Sequence, residues 1–201
     1  MRPCTARRVF YTGNPGTGKS TIVKRIVDVL ADSGCKIGGI FAPEVRSRTG
    51  TRIGFRIVDA ATGRSGWLAR KGYPGPRIGR YGVVRGDAVE IGVEALRKAL
   101  AEADVIVVDE IGPMELLVEE LREAIISVLK SDKPIVGVVH RRLKARDPTV
   151  YSLVAANSTI IEVTPENRDR LLEEVHVVAE SLCCKLPDKR GESPGIRSRP
   201  R

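Results

Sequence analysis

The chain has 201 residues, 42% hydrophobic and 29% charged, with a net charge of +9. That balance fits a soluble globular protein with one substantial domain and excludes a fibrous or low-complexity chain. No run approaches the ~18 apolar residues of a membrane span, so no membrane segment is expected.

The basic balance suits nucleic acid or polyanionic nucleotides. Aromatic residues make up 4% of the chain, and no basic run is interleaved with stacking aromatics, so a nucleic-acid partner is not favoured. The segment Met1–Arg8 carries basic residues without an apolar stretch of signal-peptide length, and a cytoplasmic location is expected. The four cysteines, Cys4, Cys35, Cys183 and Cys184, form no C-x-x-C pair, and free thiols in a reducing compartment are expected.

Taken in chain order, Arg8-Val9-Phe10-Tyr11 is a short β-prone run. It leads into Gly13-Asn14-Pro15-Gly16-Thr17-Gly18-Lys19-Ser20, the pattern of a phosphate-binding loop. Its glycines allow the backbone to turn closely around a ligand and to aim several N–H groups at an anion. Thr21 to Ala31 carries Ile22, Val23, Ile26, Val27 and Leu30 at helical spacing, and Gly34 is a stop signal. The loop therefore has a strand before it and a helix after it. The spacing makes Gly13 to Thr21 the candidate nucleotide-binding set. Lys19 is placed for the β- and γ-phosphates and the Ser20 hydroxyl for Mg²⁺.

Lys36 to Phe41 reads as a strand. Thr51 to Asp59 alternates, with Ile53, Phe55 and Ile57 on one face, and Ser65 to Ala69 reads as its return strand, so an antiparallel hairpin is expected. Residues 70–86 read as a glycine-rich loop with an extended Tyr81-Gly82-Val83-Val84 near its end. Asp87 and Glu90 fit a capping box that opens a helix to about Ala101. Val105 to Val108 is a continuous apolar run, the mark of a strand buried on both faces, and it ends in Asp109-Glu110. Gly112-Pro113 is expected to start a helix to about Lys130, and Ile135 to Val139 is a strand ending at His140. Residues 141–158 read as irregular and basic, Thr159 to Val163 as a last strand, and Thr164 as the cap of a final helix.

Strands alternating with helices predict an α/β three-layer fold with a mostly parallel sheet and an antiparallel hairpin. Ligands in such folds bind beyond the carboxyl ends of the strands, where the loop, Asp109-Glu110 and His140 all fall. An apolar strand ending in Asp is the expected partner of the loop. Asp109 and Ser20 are thus the candidate Mg²⁺ ligands, and Glu110 is the candidate base for an attacking water. An arginine that neutralises the transferred phosphoryl is also expected. Arg46 is the first candidate, with Arg141 or Arg142 beside His140 as alternatives. His140 reads either as a γ-phosphate sensor or as an ordinary strand-end residue.

The loop, together with Glu44-Val45-Arg46, Arg52-Ile53-Gly54-Phe55, Tyr81-Gly82-Val83, Asp109-Glu110-Ile111-Gly112-Pro113-Met114-Glu115-Leu116 and Asn167-Arg168-Asp169, resembles the small nucleoside-triphosphatases related to human cancer-related NTPase and to the nucleotide phosphatases of thermophiles. The resemblance covers about residues 8 to 182. It implies a RecA-like P-loop fold and Mg²⁺-dependent hydrolysis of several nucleoside triphosphates (ATP, GTP, CTP and UTP) to diphosphate and phosphate. It also implies the roles of Lys19, Ser20, Asp109 and Glu110 and draws attention to Arg46, Arg52 and Tyr81. Pro113 and Arg80 stand where lysines are usual in that family. A small kinase and a nucleic-acid-linked ATPase are the alternatives. A monomer is expected, with one P-loop NTPase domain over residues 1–186 and a disordered basic tail over 187–201, which contributes +3 of the charge.

Overall fold

The computed structural model describes residues 8–183. The expected disordered tail, Cys4 and Cys184 lie outside these residues. Ten strands form one sheet: β1 (Arg8–Thr12), β2 (Ile37–Phe41), β3 (Glu44–Arg46), β4 (Arg52–Asp59), β5 (Ser65–Lys71), β6 (Arg77–Ile78), β7 (Tyr81–Val83), β8 (Val105–Ile111), β9 (Ile135–Val139) and β10 (Thr159–Glu162). The order is β10-β1-β9-β8-β2-β4-β5-β7-β6, and β3 pairs with β4 outside that path.

The strands from β10 to β2 run parallel, and those beyond β2 are antiparallel. The antiparallel part is larger than one hairpin. Residues 70–86, read as a loop, contribute β6 and β7, whose short lengths and many glycines hide the strand signal in the sequence. In β4 the expected alternation is broken by a register shift between Phe55 and Arg56.

The parallel strands show why this is a three-layer structure. Along β8, Val105 and Val107 pack into one core and Ile106 and Val108 into the other, as period-two side chains must. One core is closed by α1 (Lys19–Asp32), α7 (Arg168–Glu173) and α8 (Val175–Leu182). The other is closed by α3 (Glu94–Glu102), α4 (Glu119–Lys130), α5 (Leu143–Arg146) and α6 (Pro148–Ala156). Ile22, Ile26 and Leu30 give α1 its fully buried face, each worth about 1.5–3 kcal/mol of apolar burial. Gly34, at φ +79°, ends the helix as its sequence signal predicts.

Several local expectations are corrected. The helix assigned to Asp87 begins earlier, as α2 (Arg85–Asp87), passes through a π-helical stretch Ala88–Val93 and continues as α3. The Asp87 carboxylate caps no helix; it accepts from the backbone N–H of Trp67 at 2.6 Å, a tertiary bond that outcompetes the local one. Residues 112–118 form turns, so α4 starts at Glu119. The stretch read as irregular holds α5 and α6, and Asp147 is the N-cap of α6, accepting from Val150 N–H at 3.0 Å. The last helix starts at Arg168, after a turn pinned by Asn167, and breaks at Glu174.

The expectation of free thiols is also corrected. Cys35, just after α1, is disulfide-bonded to Cys183, just after α8, with Cα atoms 6.8 Å apart and a sequence separation of 148. No spacing rule joins two such distant cysteines; the packing of α1 on α8 does.

Candidate active site

The site is built at the carboxyl ends of β1, β9 and β8, which are adjacent in the sheet. The loop after β1 turns through Gly13, Gly16 and Gly18, all with positive φ (+135°, +80° and +96°). Gly13 has a second reason to be glycine: a Cβ there would lie 2.5 Å from the carbonyl oxygen of Val163, which follows β10. Gly18 is the left-handed N-cap of α1, so the loop passes straight into the helix N-terminus. Thr17 steadies the turn by donating from Oγ1 to the Asn14 carbonyl at 2.9 Å.

Lys19 curls over the loop and donates from Nζ to the carbonyls of Asn14 at 2.8 Å and Gly13 at 3.2 Å. Burial holds its ammonium below the ordinary lysine range, and the Glu110 and Asp109 carboxylates act in the opposite sense. Ser20 Oγ donates to Asp109 Oδ1 at 3.2 Å, which joins the loop to the end of β8 across 89 residues.

On the acidic side of the site Asp109 and Glu115 are buried and Glu110 is half-buried. Burial raises the Asp109 carboxyl to about 6, opposed by the Ser20 hydrogen bond and by Lys19. Burial and the Asp109 charge raise Glu110 to about 7. Glu115 is buried as well, and burial followed by the Glu110 charge raises it to about 8. Gly112 separates the two glutamates: a Cβ there would lie 2.9 Å from Glu110 Oε1 and 3.0 Å from Glu115 Oε2. Glu115 carried a signal, a charged residue in an otherwise apolar Met114-Glu115-Leu116-Leu117 run.

The donor set suits Mg²⁺. A hydroxyl and a carboxylate, both hard oxygen donors, converge at the mouth of the loop, and the desolvated Asp109 carboxyl stands where added positive charge would stabilise its ionised form. Among the described residues, no group of three or more His, Cys, Asp or Glu gathers as a metal cage. Mg²⁺ commonly takes one or two carboxylates, waters and the substrate's phosphates instead.

Of the candidate arginines, Arg141 reaches the loop. Its Nη1 donates to Asn14 Oδ1 at 2.8 Å. Arg46 lies on β3, where it pairs with Glu44 and donates to the Gly50 carbonyl, and its side chain is 57% exposed. Arg52 shares Glu44 with it and lies over the Phe55 ring, which packs edge-on against Tyr81. The motif residues Glu44, Arg46, Arg52, Phe55 and Tyr81 thus form a connected group on the antiparallel strands. His140 follows β9, and its Nδ1 accepts from the Arg142 N–H at 3.2 Å. Burial and the surrounding arginines hold the imidazole below its usual pKa, so it stays neutral with Nε2–H as a donor.

Comparison with known proteins shows the family and the fold. The sequence profile of a family described as NTPase matches residues 8–176. The nucleoside-triphosphatase THEP1 of Methanothermobacter thermautotrophicus is 46% identical over 165 residues, covering 82% of this chain and 91% of that protein. The crystal structure of THEP1 from Aquifex aeolicus superposes with a TM-score of 0.74 at 32% identity, covering 86% of this chain and 99% of that one. The solution structure of a human cancer-related nucleoside triphosphatase superposes with a TM-score of 0.72 at 32% identity, covering 88% and 98%.

Proposed function

Because the chain belongs to this nucleoside-triphosphatase family, we propose that it hydrolyses nucleoside triphosphates to diphosphate and phosphate, with Mg²⁺ and little discrimination among bases. The reading rests on one contact above all, Ser20 Oγ to Asp109 Oδ1, which makes the phosphate loop and the acidic strand end a single site.

The loop N–H groups of Gly13 to Thr21 receive the phosphates, and the Lys19 ammonium leaves its loop carbonyls for the β- and γ-phosphates. Ser20 and Asp109 would hold Mg²⁺, which would offset negative charge on the β- and γ-phosphates. Glu110 accepts a proton from water as the water oxygen bonds to the γ-phosphorus. The bond from that phosphorus to the bridging oxygen breaks, and its electron pair leaves with the diphosphate. Arg141 is favoured over Arg46 for offsetting the transferred charge, because it already touches the loop.

The kinase alternative is disfavoured by Glu110, a half-buried carboxylate directly after Asp109 that is placed to activate a water. A cytoplasmic, monomeric enzyme is part of the same proposal. Among the described residues, no helix is long and apolar enough to cross a membrane.

The test is phosphate release from ATP, GTP, CTP and UTP with Mg²⁺, for the intact protein and for Glu110→Gln. Release from all four is expected, with a loss of about 100-fold or more in the variant while nucleotide binding persists. No release without an added acceptor would overturn the hydrolase reading and favour phosphoryl transfer.

A further inference from the structure

The segment after β10 runs along the phosphate loop from end to end. Val163 abuts Gly13, and Arg168 abuts Gly18: a Cβ on Gly18 would stand 2.9 Å from Arg168 Cδ and 3.3 Å from its Cγ. The turn between them is held by two bonds of Asn167. Its Oδ1 accepts from Thr164 N–H at 2.9 Å, and its Nδ2 donates to the Glu162 carbonyl at 2.8 Å. Arg168 is thereby laid, stem down, on the last glycine of the loop.

The sheet order gives this side of the loop a meaning. Asp109, Glu110 and Arg141 sit at the ends of β8 and β9, on one flank of β1, while β10 and Arg168 lie on the other. With β10 and β8 on opposite flanks of β1, a triphosphate with its γ-phosphate at Glu110 and its middle phosphates in the loop would extend its nucleoside toward β10.

We propose that the guanidinium of Arg168 is the platform on which the nucleobase stacks, one that accepts every base. This rests on the nucleotide reading above. A guanidinium plane stacks on any base, because every base has a π-face, and it reads no hydrogen-bonding edge. The plane of Arg168 is already steadied at its edge, where Nε and Nη2 meet Asp169 Oδ1 at 3.0 and 2.9 Å. In-plane pairing of this kind leaves the face of the group for stacking. From residue 157 to 183 the sequence has no Phe, Trp or Tyr, so an aromatic platform on this side is not supplied by the adjoining segment.

The experiment measures affinities in Mg²⁺ for ATP, GTP, CTP, UTP and tripolyphosphate, which has the phosphates and no base. The proteins are full-length Glu110→Gln, chosen so that substrate persists, and the double variant with Arg168→Met, which keeps the stem on Gly18 and loses the plane. Glu110→Gln is expected to bind the nucleotides about tenfold more tightly than tripolyphosphate. Arg168→Met is expected to erase that difference for all four bases and leave tripolyphosphate unchanged. An equal loss for tripolyphosphate would make Arg168 a phosphate contact, and unchanged nucleotide binding would make it a packing residue; either overturns the proposal. So does an absence of any preference for nucleotides over tripolyphosphate before Arg168 is changed. Phosphate release by the unsubstituted protein is scored separately. Its failure alongside the expected affinities would overturn the hydrolysis reading and leave the platform standing.

Discussion

Arg141 and Asn14 are 127 residues apart in sequence, and the guanidinium of one donates to the side-chain oxygen of the other at 2.8 Å. The contact sets a permanent positive charge at the rim of the phosphate loop before any anion arrives. An arginine that stabilises the transferred phosphoryl acts on the transition state more than on the bound substrate. Arg141→Ala is therefore expected to lower kcat at least tenfold with a smaller change in KM, whereas Arg46→Ala stays close to the parent in kcat. Steady-state kinetics on ATP decide this. The reverse order of effects would return the role to Arg46.

The acid-side pH profile follows from Glu110, which burial and the Asp109 charge raise to about 7. It acts as a carboxylate base in the proposed reaction, so activity requires its ionised form. The value of kcat/KM at saturating Mg²⁺ is expected to rise from pH 5 to pH 8 and level off above Glu110's ionisation. A profile that is flat across that range would count against Glu110 as the base.

The Cys35–Cys183 bond ties the end of α1 to the end of α8 and closes nearly the whole described chain. Cross-linking residues that far apart restricts the unfolded ensemble and contributes on the order of 3–5 kcal/mol in the chain-entropy account. Reductant is expected to lower the Tm of the parent to that of Cys35→Ala, and to leave Cys35→Ala itself unmoved. An equal Tm for the parent with and without reductant would show that the bond carries no stability.

Asp147 does two jobs, capping α6 and pairing with Arg122 Nε at 2.9 Å. The Arg122 hydrogen bond holds its carboxyl below the ordinary value. A depressed carboxylate contributes stability that is present above its unfolded-state pKa and lost as pH falls through the folded one. Asp147→Asn keeps a capping oxygen and loses the ion pair, so a cost of about 1 kcal/mol is expected at pH 7. The gap between parent and variant, followed by denaturant unfolding, should close as pH drops through the acid range below 4. A gap that stays constant down to pH 2 would exclude ionisation of Asp147 as its source.

What the sequence determined by itself is what neighbouring residues decide among themselves. Gly13 to Ser20 can make its turn because its glycines stand where positive φ is needed, and the apolar run of β8 ending in Asp109-Glu110 announces a buried strand with charge at its mouth. Helix α1 and its glycine stop follow from periodicity in the same way. Tertiary structure decided the rest. It took Asp87 from its own helix to the Trp67 N–H, drew Cys35 to Cys183, enclosed Glu115 beside Glu110, and chose Arg141 over Arg46 for the loop. The bonds of Asp87, Cys35 and Arg141 depend on segments distant in the chain meeting at a sheet edge or helix end, and Glu115, near Glu110 in sequence, is buried only by the packing around both. The free energy of such a contact comes from desolvation and geometry that exist only once the sheet order β10-β1-β9-β8 has formed, and no local pattern encodes that order.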